Sequence, residues 1–273
     1  MFWTRLVSSV VLVVIALVTL LFGGGLLAGV ACLISIVGYL ELCRATGVHT
    51  KEKKLNGLEI VGILGILGYY AALCFASDIL LYLLAPLWVF MGSLCVYVVT
   101  FPHYRAERVM ENVFHFFYAP VMLSCLYLTR QLLYGEYLVW LILISSWGCD
   151  TCAYLVGICI GKKKIFPVLS PKKSLEGCIG GVVGAGLLGL AFGYFLVDNV
   201  VEEQTVTLFV AGICMAGAVV SQIGDLAASA IKRNHEIKDY GKLIPGHGGI
   251  MDRFDSVIVT APMIFILASL LIG

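Results

Sequence analysis

The chain has 273 residues, of which 60% are hydrophobic and 13% charged, with a formal net charge of +1. A soluble domain carries about 25% charged residues, so this composition excludes a soluble enzyme and predicts a polytopic, all-α transmembrane bundle. The near-zero net charge excludes no function, because it sums over faces that can each be strongly charged.

Apolar runs long enough to cross a hydrocarbon core of about 30 Å fall near residues 6–22, 26–43, 57–76, 79–100, 113–133, 137–160, 177–197, 205–228 and 257–272. About nine spans are therefore predicted. The stretch from Phe101 to Glu111 reads either as a short surface helix or as an extension of the fifth span. Arg5 ahead of the first run and Gly23, Gly24 and Gly25 behind it imitate a secretory signal. Removing that run would leave an even number of spans, so a retained span is expected. Residues 1–273 are read as a single integral membrane domain, with N-terminal spans 1–135 and a half, 136–273, that holds most of the candidate catalytic residues.

Short loops rich in Lys and Arg stay on the cytoplasmic side. With the N-terminus cytoplasmic, all 18 Lys and Arg residues except Arg130 fall inside. The outer connections carry Asp78, Glu136, Asp198, Glu202 and Glu203. The expected location is a bacterial cytoplasmic membrane, with a cationic inner face that suits anionic lipids and phosphorylated ligands. Membrane lipids are the expected surroundings; nucleic acid is not an expected partner.

Polar residues within the spans come next in chain order. Glu41 lies within a turn of Arg44 and predicts an interfacial ion pair. Asp150 sits inside the sixth span with Tyr154 one turn on; a cavity wall that binds ligand and a helix-packing role are both open for this pair. The ten cysteines, including the Cys149/Cys152 pair, lie in or at the ends of apolar runs and read as small buried hydrophobes. Gly177 with Gly181, Gly180 with Gly184, and Gly189 with Gly193 have the four-residue spacing that lets helices approach closely in lipid. That span is expected to be a packed interior helix.

Two connections carry the chemistry. In the first, GKKKIFPVLSPKKSLEG over 161–177, Lys162, Lys163 and Lys164 read as a membrane-surface anchor. Ser170, Pro171, Lys173 and Ser174 lead straight into the seventh span, where phosphate binding and a plain helix start are both open. The second lies over 229–256, beyond Asp225. Helical offsets place Ser221, Asp225, Ser229, Lys232 and Arg233 on one stripe, oxygen ligands first and cations second; an internal pairing of Asp225 with Lys232 or Arg233 is the alternative. Asp252 and Asp255 precede the last span, either as helix caps or as cation ligands. Pro245 to Gly249, PGHGG, has the flexibility to aim backbone amides at an anion as a nest does.

The string AIKRNHEIKDYGKLIPGHGGIMDRFDS resembles the signature of the phosphatidate cytidylyltransferase (CDP-diacylglycerol synthase) family. It is carried by Ser229, Lys232, Arg233, Lys238, Asp239, Pro245, Gly246, His247, Gly248, Gly249, Asp252, Arg253 and Asp255. The likeness continues upstream through Gly224 and Asp225, SPKKSLEG at 170–177 and DTCAYLVGICIG at 150–161. It implies transfer of CMP from CTP to phosphatidate, giving CDP-diacylglycerol and pyrophosphate in phospholipid biosynthesis. It also implies Mg²⁺ held by Asp225, Asp252 and Asp255, often with K⁺ as a second ion, and a homodimer.

The residues agree with that chemistry. A phosphate monoester with a second pKa of about 6 is already nucleophilic, so no general base is needed, and the obstacle is bringing two anions together. Mg²⁺ takes one or two carboxylates plus substrate phosphates. Lys173, Lys232, Arg233 and Arg253 would neutralise phosphate, PGHGG would orient the polyphosphate or cytidine, and His247 would help position it. A CTP-dependent polyprenol or phytol kinase is the first alternative, against which the full PGHGGIMDRFD string argues. A membrane transporter is the second; it would more often show inverted repeats and helices broken at the midplane.

Overall fold

The structure is a computed structural model that describes residues 2–49, 54–76, 79–198, 206–246 and 248–272. Among the described residues it is all-helical, with two isolated bridges, Lys164 to Ser174 and Ile244 to Gly248. The helices are α1 (Phe2–Phe22), α2 (Gly24–Thr46), α3 (Gly57–Phe75), α4 (Ile79–Val99), α5 (Ala106–Gln131), α6 (Gly135–Ile160), α7 (Leu175–Val197), α8 (Val206–Asn234) and α9 (Met251–Ile272). Eight of them are long and apolar enough to cross a membrane, and Val7–Phe22 of α1 is a shorter apolar helix. The protein is a polytopic membrane bundle. Lipid offers no hydrogen-bond partner to the backbone, so an apolar run of this length becomes a helix.

Three boundaries refine the sequence reading. Helix α5 begins at Ala106, so the charged stretch before residue 112 extends the fifth span. Helix α8 runs to Asn234 and α9 starts at Met251. Ser229, Lys232, Arg233, Asp252, Arg253 and Asp255 are therefore helical, and the true connection is 235–250. Single π-helical turns interrupt α5 at Phe117–Val121 and α6 at Ile144–Gly148, and one ends α7 at Gly193–Val197. In α5 the turn contains Pro120, whose missing N–H breaks the regular ladder.

The chain packs as two compact units, Met1–Ser124 with His235–Arg253, and Cys125–Asn234 with Phe254–Gly273. The first has a core of Tyr39, Leu42, Leu58, Ile66, Phe116 and Met251, all fully buried. Its buried polar groups bond one another: Tyr39 Oη donates to Asn112, Asn112 Nδ2 donates to Ser93 Oγ at 3.0 Å, and the Ser35 and Tyr70 hydroxyls lie 2.9 Å apart. Such side-chain bonds between helices hold a bundle together where the surroundings are as apolar as the core. Helix α3 opens with a capping box between Asn56 and Glu59, and buried Glu59 also meets His49 at 2.8 Å.

In the second unit the glycines of α7 set the packing. A Cβ at Gly181 would lie 2.9 Å from that of Ala153 and 3.0 Å from the carbonyl oxygen of Cys149, and one at Gly184 would strike Cys152. Gly186 and Gly189 take Met215 and Cys214 of α8 in the same way. The close approach that the spacing predicts is present, but α7 is not an interior helix. Its other face exposes Ile179, Val183 and Leu187, because a glycine seam uses only one side of the cylinder. All ten cysteines are free thiols; Cys43, Cys149 and Cys214 are buried, while Cys95 and Cys159 are exposed.

Candidate active site

The second unit gathers two motifs that lie far apart in sequence. The connection between α6 and α7 folds back on itself: Leu175 N donates to Lys163 O at 2.9 Å, and the Glu176 carboxylate accepts the backbone N–H groups of Lys162 and Lys163 at 3.1 and 3.3 Å. Ser174 caps α7 by accepting from Gly177 N at 3.2 Å, and Lys173 N donates to Ser170 O at 3.1 Å. Ser170 thus builds the turn and Ser174 starts the helix. Between them Lys173 is aimed at α8, where its Nζ lies 2.5 Å from Asp225 Oδ2, with the two side chains 20% and 29% exposed. Nζ has no aligned hydrogen-bond acceptor, so charge and not directional bonding holds this contact. The expected local pairing of Asp225 with Lys232 or Arg233 gives way to a tertiary one.

Two more acids join it. Asp150 faces Asp225, Lys173 and Asp255, and its Oδ2 accepts from Ser256 Oγ at 3.4 Å. Asp255, only 8% exposed, faces Asp225, Lys232 and Asp150 and accepts from Ser256 N at 2.8 Å. Gly224 allows this closeness: a Cβ there would lie 3.1 Å from Asp255 O and 3.0 Å from Val259. Ser221, one turn earlier, is fully buried and its hydroxyl finds no partner. Ser229 is half-buried and Arg233 exposed on the continuing helix.

A cavity of about 500 Å³ opens beside these groups, lined by Asp150, Tyr154, Lys164, Lys172, Lys173, Ser174 and Gln222 with apolar Ala153 and Ile158. Asp150 and Tyr154 both contribute to its wall. Gln222 was not singled out from the sequence. It donates to Cys178 O at 2.9 Å and touches Cys149 Sγ at 3.4 Å, and an amide on an apolar helix was the only signal it offered.

The first unit contains the 235–250 connection. Asp252 Oδ2 accepts two backbone N–H groups, from Tyr240 at 2.8 Å and Gly249 at 2.9 Å. Glu41 accepts from Ile250 N at 3.1 Å and Met251 N at 2.9 Å. The predicted Glu41 partner, Arg44, is exposed and contributes charge nearby, yet the carboxylate itself is bonded to the start of α9. Gly246 and Gly248 adopt φ of 79° and 88°, where a side chain is strained. Of the PGHGG amides expected to face an anion, that of Gly249 faces the Asp252 carboxylate, and the next two, of Ile250 and Met251, face Glu41. Lys238, Asp239 and Arg253 are exposed. His247 lies outside the described residues.

Among the described residues, no three His, Cys, Asp or Glu side chains stand close enough to form a complete metal cage. Asp225 and Asp255 still fit Mg²⁺, which is held by one or two carboxylates and completed by substrate phosphates.

The fold and site together define a polytopic helical membrane protein with carboxylates and lysines around an amphipathic cavity. More specifically, the chain belongs to the cytidylyltransferase family, whose profile matches residues 3–271. It is similar to the phosphatidate cytidylyltransferase of Bacillus subtilis, 37% identical over 137 residues (50% of this chain, 49% of the relative). The Haemophilus influenzae protein of the same name is 38% identical over 134 residues (49% and 46%). That of Rickettsia bellii is 35% identical over 154 residues (55% and 66%). The chain thus spans about half the length of the first two relatives and 66% of the third.

Proposed function

We propose that the protein transfers CMP from CTP to phosphatidate, releasing pyrophosphate and leaving CDP-diacylglycerol in the membrane. The observation that carries this reading is the Lys173–Asp225 contact, which joins SPKKS to the helix of the family signature beside two further carboxylates. The cavity suits a phospholipid: Lys164, Lys172, Lys173 and Ser174 offer donors to a phosphate, and Tyr154, Ala153 and Ile158 offer an apolar wall to what is attached to it. In the reaction a phosphatidate oxygen bonds to the α-phosphorus of CTP as the bond from that phosphorus to the α–β bridging oxygen breaks, and the electron pair leaves with pyrophosphate.

Phosphatidate arrives largely dianionic, so the acids are not needed as bases. Lys173 and Lys232 reduce the repulsion between the two anions. Asp225 and Asp255 are the residues of this unit that would hold Mg²⁺, which when bound neutralises charge on the transferred phosphate and the leaving group. In the first unit, the 235–250 connection with Lys238 and Asp239 handles the nucleotide, and Asp252, carried over by the family likeness as a metal ligand, fixes its shape; ligating carboxylates are themselves commonly hydrogen-bonded. The Lys and Arg clustered in these connections support a cytosolic orientation, on the side where CTP is found, and the proposed location is a bacterial cytoplasmic membrane.

The test uses CTP labelled separately at its α and γ phosphates, with purified protein, Mg²⁺ and phosphatidate. The expected result is α label in the lipid, γ label in pyrophosphate, and no transfer to diacylglycerol or a polyprenol. Recovery of γ label in lipid would replace this reading with a lipid kinase.

A further inference from the structure

Glu41 belongs to none of the signature motifs, yet it is the most deeply embedded carboxylate contact of the 235–250 connection. It sits on α2 with 3% exposure. Burying an ionised carboxylate is expensive unless donors replace its water. Here both oxygens take N–H groups at the N-terminus of α9, those of Ile250 and Met251, where the helix dipole also favours negative charge.

The glycines around it respond to the same carboxylate. A Cβ on Gly249 would come within 2.5 Å of both Glu41 oxygens, and one on Gly241 would run into Oε1. One turn earlier on α2, a Cβ on Gly38 would lie 3.0 Å from Met251 Sδ. Glu41 is therefore gripped by both ends of the segment 241–251. At Gly249 the absent side chain makes room for this carboxylate.

We infer that Glu41 is a positioning residue, an internal anion that fixes the nucleotide-handling connection by occupying the anion site at the start of α9. The assignment to nucleotide handling rests on the proposed cytidylyl transfer. With those amides occupied, the connection meets its ligand through side chains such as Lys238, and not through the helix N-terminus.

The experiment uses the full-length protein in lipid nanodiscs and combines amide hydrogen exchange with steady-state kinetics. Glu41→Ala should speed exchange at 249–251 at least tenfold and raise KM for CTP at least tenfold, with KM for phosphatidate changed less than twofold. Glu41→Gln keeps the size and one acceptor oxygen, so it should fold and shift exchange and KM for CTP in the same direction by less. Gly249→Ala alone should speed exchange because its Cβ meets the carboxylate; on the Glu41→Ala background it should add less than a further twofold. Unchanged exchange at 249–251 in both Glu41 variants would overturn the anchor. So would equal damage by Gly249→Ala in either background, which would mean that the glycine is there for a ligand. Faster exchange with an unchanged KM for CTP would overturn the positioning role. The exchange readout needs no turnover, so a wild-type protein inactive on CTP and phosphatidate would refute the proposed function while the anchor is judged separately.

Discussion

Replacing Lys173 by Met removes the cation from a region where Asp225 faces Asp150 and Asp255. At the observed 2.5 Å, Coulomb attraction at an effective dielectric constant of about 20 is about 7 kcal/mol. Exposures of 20% and 29% leave both groups partly desolvated, and desolvation offsets most of that attraction. A net coupling of about 2 kcal/mol is expected, within the range that double-mutant cycles give for contacting residues. The single changes should be asymmetric. Lys173→Met leaves three acids facing one another and should destabilise by about 3 kcal/mol. Asp225→Asn removes one of three like charges while Lys173 still faces Asp150, so it should be milder. The double variant should recover part of the loss. Equilibrium unfolding in mixed micelles by increasing SDS, followed for the wild type, both single variants and the double variant, closes the cycle. A coupling below about 0.5 kcal/mol, or a Lys173→Met loss no larger than that of exposed Lys163→Met, would refute the claim that this ion pair joins the α6–α7 connection to α8.

Asp225→Asn and Asp252→Asn are each expected to lower turnover at least 100-fold without loss of insertion, because Asn keeps the shape and an acceptor but lacks the charge that a hard cation needs. Full activity of Asp252→Asn in the CTP assay would confine Asp252 to holding the Tyr240 and Gly249 amides. Lys163→Ala should stay within threefold of wild type. For orientation, a Cys replacing Glu136, whose side chain is 61% exposed, should react with an impermeant thiol reagent on intact cells, above the background of the native thiols. A Cys replacing Lys238 should react only after lysis. The reverse pattern would place the charged connections outside the cell and remove the cytosolic nucleotide site.

Hydropathy located the helices because lipid leaves a long apolar run no alternative to satisfying its own backbone. It failed at the ends of α8 and α9, where Lys232, Arg233, Asp252 and Arg253 are polar yet helical. A hydropathy run measures where hydrocarbon ends, while a helix continues as far as its caps allow. The partner of Asp225 was missed for a related reason. Periodicity relates positions within one helix, so it could offer only Lys232 and Arg233; Lys173 reaches Asp225 through a turn built by Ser170 and closed by Glu176. The glycine spacing in α7 was legible as a packing face, but spacing alone does not tell how many faces are packed.

Glu41 shows the deeper limit. Read along the chain, a carboxylate looks for its nearest cation, and Arg44 is one turn away. Read by desolvation, a buried carboxylate looks for N–H donors that are already oriented, and a helix N-terminus supplies them at any distance in sequence. The signal in the 235–250 connection was ambiguous for the same physical reason. Backbone amides grouped by glycines suit an anion, whether it is a substrate phosphate or a side chain of the same protein. In this fold Glu41 and Asp252 take the amides of Tyr240, Gly249, Ile250 and Met251, so under the proposed function side-chain cations, and not the start of α9, are left to meet a phosphorylated substrate. This accounts for lysines and arginines interleaved with the acids and glycines of the signature.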